Sequence, residues 1–90
     1  MKPLIAANWK MNGAPDWCQK VGELEGLLPA KNREDVDVLI CPPSVFLSEM
    51  SSEARAHNVF TGGQNCHAKI TGAYTGEISA PMLKLSLIHI

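Results

Sequence analysis

The sequence predicts an α/β fold built from parallel strands. A short apolar run, Leu4–Ala7, is continuous rather than alternating, as a strand buried on both faces is, and Val36–Cys41 reads as a second strand. Between and after them lie stretches with apolar residues at helical spacing. The resulting order is strand, helix, strand, helix, strand, loop, helix, and alternation of this kind implies parallel strands with right-handed crossovers.

Each element has a local reason. The first strand ends at Asn8, and a loop runs through Asn12-Gly13-Ala14-Pro15. Asp16 is placed to cap a helix, with Gln19 three residues on as in a capping box. Trp17, Val21, Leu24 and Leu28 follow at steps of four, three and four, and form one apolar stripe. Gly22 and Gly26 each weaken this helix by about 1 kcal/mol relative to alanine, and Pro29 stops it. A charged connection, Lys31–Asp35, leads to the second strand, which Pro42-Pro43 closes because proline cannot donate to a ladder. Ser44 is expected to cap a second helix with Phe46, Met50 and Ala54 on one face, Leu47 flanking it, and Glu49, Ser52, Glu53 and Arg55 outward. Val59–Gly63 forms a short third strand. Gln64 to Gly76 is a polar loop of thirteen residues, long enough to suggest a function of its own. Ser79 caps a last helix, with Pro81 tolerated in its first turn.

Composition narrows the function. Ninety residues make one domain or part of one. A net charge of −1 leaves no basic footprint for nucleic acid and no polybasic membrane patch. No apolar run reaches the about 20 residues of a spanning helix, and the four-residue run at the N-terminus is too short for a secretory signal. Three cysteines, Cys18, Cys41 and Cys66, without paired spacing suit a reducing compartment, and a cytoplasmic location is expected.

Ligands of α/β folds bind at the carboxyl ends of the strands. The first such end carries Asn8 and Lys10. Two residues apart on an extended segment, they would point the same way and hold a small anion. The plainer alternative makes Lys10 a surface lysine and Asn8 a turn-former. Cys66-His67 lacks the further ligands of a metal site and an activated nucleophile's setting, so it reads as structural. His57 is expected to meet the dipole at a helix C-terminus. His89 lies in an apolar tail, and Glu77 could be a base or a loop-fixing acceptor, of which the structural role is the expected one. Dinucleotide, P-loop, zincin and hydrolase-elbow motifs are absent.

Three stretches carry a resemblance. Ala6-Ala7-Asn8-Trp9-Lys10-Met11-Asn12-Gly13 resembles the first strand and loop of the triosephosphate isomerase family. Cys41-Pro42-Pro43-Ser44 is similar to the end of that family's second strand. Gly63-Gln64-Asn65 with Thr71-Gly72-Ala73-Tyr74-Thr75-Gly76-Glu77-Ile78-Ser79-Ala80-Pro81-Met82-Leu83 resembles its third loop and the helix after it. The resemblance runs collinearly from residue 1 to about residue 84. It implies a partial TIM (β/α)8 barrel: the first three βα units and the start of the fourth, since a whole barrel takes about 250 residues. It implies an isomerase of glycolysis and gluconeogenesis, acting on a triose phosphate with neither cofactor nor metal. Lys10 would be the catalytic and substrate-binding cation, and Asn8 would bind the substrate oxygen. The family's third loop enters the neighbouring subunit of a homodimer. Met11, Gln64, Thr75, Gly76 and Glu77 would then belong to the dimer interface, with Thr75 meeting the partner near its Asn8 and Met11.

The departures matter equally. The family's electrophilic histidine in a GHSE-like setting has no counterpart, and His89 does not take its role. The general-base glutamate and the lid loop are also missing, so the chain by itself is expected to be inactive. Leu85–Ile90 departs from the family pattern and is expected to be a non-native tail. An open sheet is expected to leave edges uncovered, with loose packing and poor solubility. The rival reading is a non-catalytic α/β module that associates with another chain through the Gln64–Glu77 loop.

Overall fold

A computed structural model describes residues 2–27 and 34–86. A parallel sheet of order β1-β2-β3 is formed by Leu4–Asn8 (β1), Asp37–Cys41 (β2) and Phe60–Thr61 (β3). The register pairs Leu4 with Asp37 through Asn8 with Cys41, and Leu39 and Ile40 with Phe60 and Thr61. Helices α1 (Val21–Leu27), α2 (Leu47–Ala56) and α3 (Ala80–Leu85) follow the strands in turn. The expected alternation is therefore present.

Pleating divides the sheet into two sides. Ile40 faces the helices and joins Cys18, Val21, Met50 and Ala54 in the main core, with Trp9, Leu24, Phe46 and Val59 packed around it. A second, smaller cluster joins Leu47 and Leu83, with Ile78 against them. Behind β3, the Ser51 and Thr61 hydroxyls meet at 2.6 Å and tie α2 to the sheet. This contact satisfies polar atoms that would otherwise be costly to bury.

Several local expectations are corrected. Both early helices begin as 3-10 turns, at Pro15–Lys20 and Ser44–Phe46. Their caps are Ala14 and Pro43, neither with a side-chain hydrogen bond, so Asp16 and Ser44 are not the capping residues. The reason at the first is Pro15, whose fixed φ starts the helical turn before Asp16 can cap it. The tighter winding also re-aims the stripe. With about three residues per turn, Cys18 falls in line with Val21 and Leu24 and is wholly buried, whereas Trp17 is only half-buried. The stop at Pro29, and Leu28 in the stripe, lie outside the described residues. Gly22 has a packing role: a Cβ there would come 3.2 Å from Nε2 of His57, the residue that caps α2. Residue β3 pairing is confined to Phe60–Thr61 rather than Val59–Gly63.

The largest correction concerns β1. It was expected to be buried on both faces, yet all of its residues are exposed, with Leu4 at 57% and Ile5 at 55%. Among the described residues β1 has a neighbour on one side only, and little lies over it. By contrast Ser79 caps α3 as expected, accepting the Met82 N–H at 3.4 Å, with Pro81 in the first turn.

Since β2 is paired on both sides, its amides are expected to exchange most slowly with solvent and those of β1 faster. Hydrogen-exchange mass spectrometry checks the order. Met50→Ala, which empties a fully buried position, should erase the slow class.

Candidate active site

The carboxyl ends of the three strands converge on one carbonyl. The Cys41 oxygen accepts the Trp9 N–H at 3.1 Å and the Gln64 side-chain amide at 2.8 Å. It thus joins the loop after β1 to the loop after β3. Asn8 is paired with Cys41 at the last rung, so it lies on the side of the sheet away from Ile40. Cys41 Sγ and Leu39 lie on that same side, where both approach Gly62.

Lys10 sits directly beyond this rung with φ of 58°, in the left-handed region. That conformation costs a non-glycine residue about 1–2 kcal/mol. Its N–H donates to Asn8 Oδ1 at 2.8 Å, and its carbonyl accepts from Gln64 Nε2 at 3.0 Å. The extended geometry expected for Asn8–Lys10 is therefore not present, and strand alternation does not set where Lys10 points. Asn8 does act as a turn-former, through its side-chain oxygen. Asn12 closes the turn by donating from Nδ2 to the Trp9 carbonyl at 2.9 Å. The Trp9 and Trp17 rings meet edge to face with centroids 5.3 Å apart, and Lys20 lies 5.7 Å from the Trp17 ring. The Lys10 side chain is exposed, and Met11 is 96% exposed.

The long loop is closed at its base and open at its tip. Asn65 Nδ2 donates to Glu77 Oε2 at 2.8 Å, and the His67 N–H donates to the Ile78 carbonyl at 2.8 Å. Glu77 is the expected loop-fixing acceptor, and its own N–H donates to the Tyr74 carbonyl at 3.0 Å. The His67 ring stacks on Tyr74 at 4.0 Å and accepts the Lys69 N–H on Nδ1 at 3.0 Å, so this imidazole serves the loop. Gly72 has φ of 147°, a conformation that strains any L side chain, and a Cβ there would also displace the Tyr74 ring, 2.5 Å away. Thr75 and Gly76 stand at the exposed tip, with Gly76 at φ of 88°. His89 lies outside the described residues. Among the described residues no cluster of His, Cys, Asp or Glu is placed to hold a metal ion, and no helix is long and apolar enough to cross a membrane.

Strand ends carrying an asparagine and a lysine beside a long, braced third loop form the same pattern that the motifs carry. A family model described as triosephosphate isomerase matches residues 3–89. The chain belongs to the triosephosphate isomerase family. The triosephosphate isomerase of Ruegeria sp. (strain TM1040) is 47% identical over 83 residues, which cover 92% of this chain and 32% of that protein. That of Hahella chejuensis is 44% identical over 81 residues, covering 90% and 32%. The crystal structure of the Bartonella henselae triosephosphate isomerase superimposes with a TM-score of 0.75 at 42% identity, covering 96% of this chain and 35% of that one. The chain thus spans about a third of the length of its curated relatives. The architecture is a partial α/β barrel of an isomerase family.

Gln64, expected at the dimer interface, also bonds within its own chain, to the carbonyls of Lys10 and Cys41. A glutamine after two glycines carries no local signal of such bridging.

The thiols differ. Burial pushes Cys18 up from its ordinary value near 9.0, with Glu49 and Glu53 adding to the effect. Burial also raises Cys41, against a partly offsetting hydrogen bond from the Gly62 backbone. Raised values favour the neutral thiols in the folded chain, so their contribution to stability is full below pH 9.0 and fades as the pH climbs past it. Iodoacetamide at pH 8 is expected to label exposed Cys66 first and Cys18 last, with mass spectrometry reading the order.

Proposed function

We propose that this chain supplies the first three βα units, and the start of a fourth, of a triosephosphate isomerase. The enzyme would interconvert dihydroxyacetone phosphate and glyceraldehyde 3-phosphate, in the cytoplasm, by proton transfer through an enediolate and without a cofactor. The observation that carries the reading is the position of the Asn8–Lys10 turn, bonded to the carboxyl ends of its neighbours by way of Cys41 and Gln64. A permanent cation there would neutralise the substrate phosphate and the oxygen on which charge develops. Asn8 would bind the substrate oxygen with its amide N–H group, since its Oδ1 is already engaged by Lys10. Proton carriers would have to come from the units this sequence lacks.

The test is kinetic. In a full-length enzyme carrying these residues, Lys10→Ala is expected to lower kcat/KM by at least about 10²–10³-fold, the range seen for loss of one electrostatic stabiliser. The 90-residue chain assayed alone should show no turnover above buffer. A lysine variant with wild-type kinetics, or an active 90-mer, refutes the reading.

The enzyme would act as a homodimer joined by the Gln64–Glu77 loop. The exposed tip at Thr75 and the protruding Met11 suit burial against a second copy. Thr75→Arg in the full-length enzyme is expected to shift sedimentation from dimer to monomer.

A further inference from the structure

His67 is fixed at the base of the third loop. Its N–H donates to the Ile78 carbonyl at 2.8 Å, and it forms a parallel bridge with Ser79. From this anchor the half-buried imidazole reaches into the loop. Nδ1 accepts the Lys69 N–H at 3.0 Å, and the ring lies 4.0 Å from that of Tyr74. Tyr74 also packs against Gly72, and the exposed Thr75 follows it directly. One ring thus ties the outgoing limb of the loop, at Lys69, to the returning limb, at Tyr74. An imidazole nitrogen accepts only while it carries no proton, so this geometry requires the neutral ring with its hydrogen on Nε2.

We propose that His67 is an acid-sensitive latch of the third loop: the neutral ring holds the tip in the shape that pairs with a second copy, and protonation releases it. The proposal rests on the reading above, in which this loop joins two copies. Protonation makes both ring nitrogens donors, so Nδ1–H meets the Lys69 N–H donor to donor. Turning the ring over brings a C–H to that place and supplies no acceptor either. The groups around the ring do not reverse this. Lys69, Tyr74 and Glu77 share with it a cavity of about 70 Å³, and the rest of the lining carries no charge. Cys66 donates to the His67 carbonyl and not to the ring. Lys69 opposes a second positive charge nearby, whereas Glu77, held by Asn65 through Oε2, favours one. The face of Tyr74 also attracts a cation. These attractions act on the charged ring and leave the Lys69 N–H without its acceptor. The latch is therefore closed at the alkaline end of the range over which histidine changes charge, and opens as the pH falls through it.

The experiment uses the full-length enzyme carrying these residues, compared at about pH 8 and about pH 5, the two ends of that range. Sedimentation on dilution gives the dimer dissociation constant, and hydrogen exchange, corrected for the intrinsic rate, gives the protection of the Lys69 amide. The unmodified enzyme is expected to dissociate at least about 10-fold more readily at the acid end, the size of one lost hydrogen bond, and to lose protection at Lys69. His67→Asn places a side-chain oxygen where it accepts the N–H two residues on and does not titrate. It should keep both affinity and protection, with the acid response removed. His67→Phe keeps a ring against Tyr74 without an acceptor, and should show the weaker affinity at both ends. If the phenylalanine variant does not fold, the asparagine variant carries the comparison. An acid response in His67→Asn equal to that of the unmodified enzyme overturns the proposal. So does unchanged Lys69 protection, or lost protection with an unchanged dissociation constant. An enzyme that is monomeric at both ends sinks the dimer reading itself, and this proposal with it.

Discussion

The arrangement depends on the carbonyl of Cys41. It lies at the end of the central strand and accepts two donors, one from the loop after β1 and one from the loop after β3. Strand pairing alone would bring the strands side by side and leave their loops independent. The shared acceptor instead fixes the loops to each other, at the end of the sheet where α/β folds place their chemistry. The left-handed turn at Lys10 is tolerable because it is pinned on both sides, and its conformational cost is offset by the hydrogen bonds that the turn permits.

Packing behind the sheet supports this end from below. Ile40, one residue before Cys41, is the sheet's buried contribution to the main core. Met50 and Ala54 on α2 and Cys18 and Val21 on the first helical segment close around it. The Ser51–Thr61 contact holds β3 to α2, and Gln64 follows β3 closely in sequence. Strand, helix and loop are thus connected through neighbouring residues, so loss of core packing near Ile40 would be felt at Lys10. The exposed apolar surface of β1 marks the opposite situation, a strand whose described surroundings do not complete its burial.

Element order, the parallel pairing, the Ser79 cap and the family were legible in the sequence because each rests on local signals: apolar runs, proline stops, a capping serine, long motifs. The helix starts differ from the sequence pattern because serine and aspartate are good caps only where the preceding residue leaves them the position. Pro15 takes the first helical position, and Pro43 stands at the cap itself, so Asp16 and Ser44 fall inside their turns. Cys18 lies off the apolar stripe at the α-helical period and joins the core because the chain winds more tightly there. The geometry of Lys10 departs from the pattern for a related reason. Alternation holds within a strand, and Lys10 lies two residues past its end in a turn written by the Asn8 side chain. The Gln64 bridge joins residues distant in sequence and leaves no periodic trace.

The edge-to-face indole pair has a spectroscopic consequence. The chain contains 2 tryptophans, and both are in that pair. All of its indole emission therefore originates beside the Asn8–Lys10 turn, one ring on either flank of the loop. Intrinsic fluorescence becomes a local optical gauge of this corner, silent about the far end of the third loop and sensitive to any shift that separates residues 9 and 17.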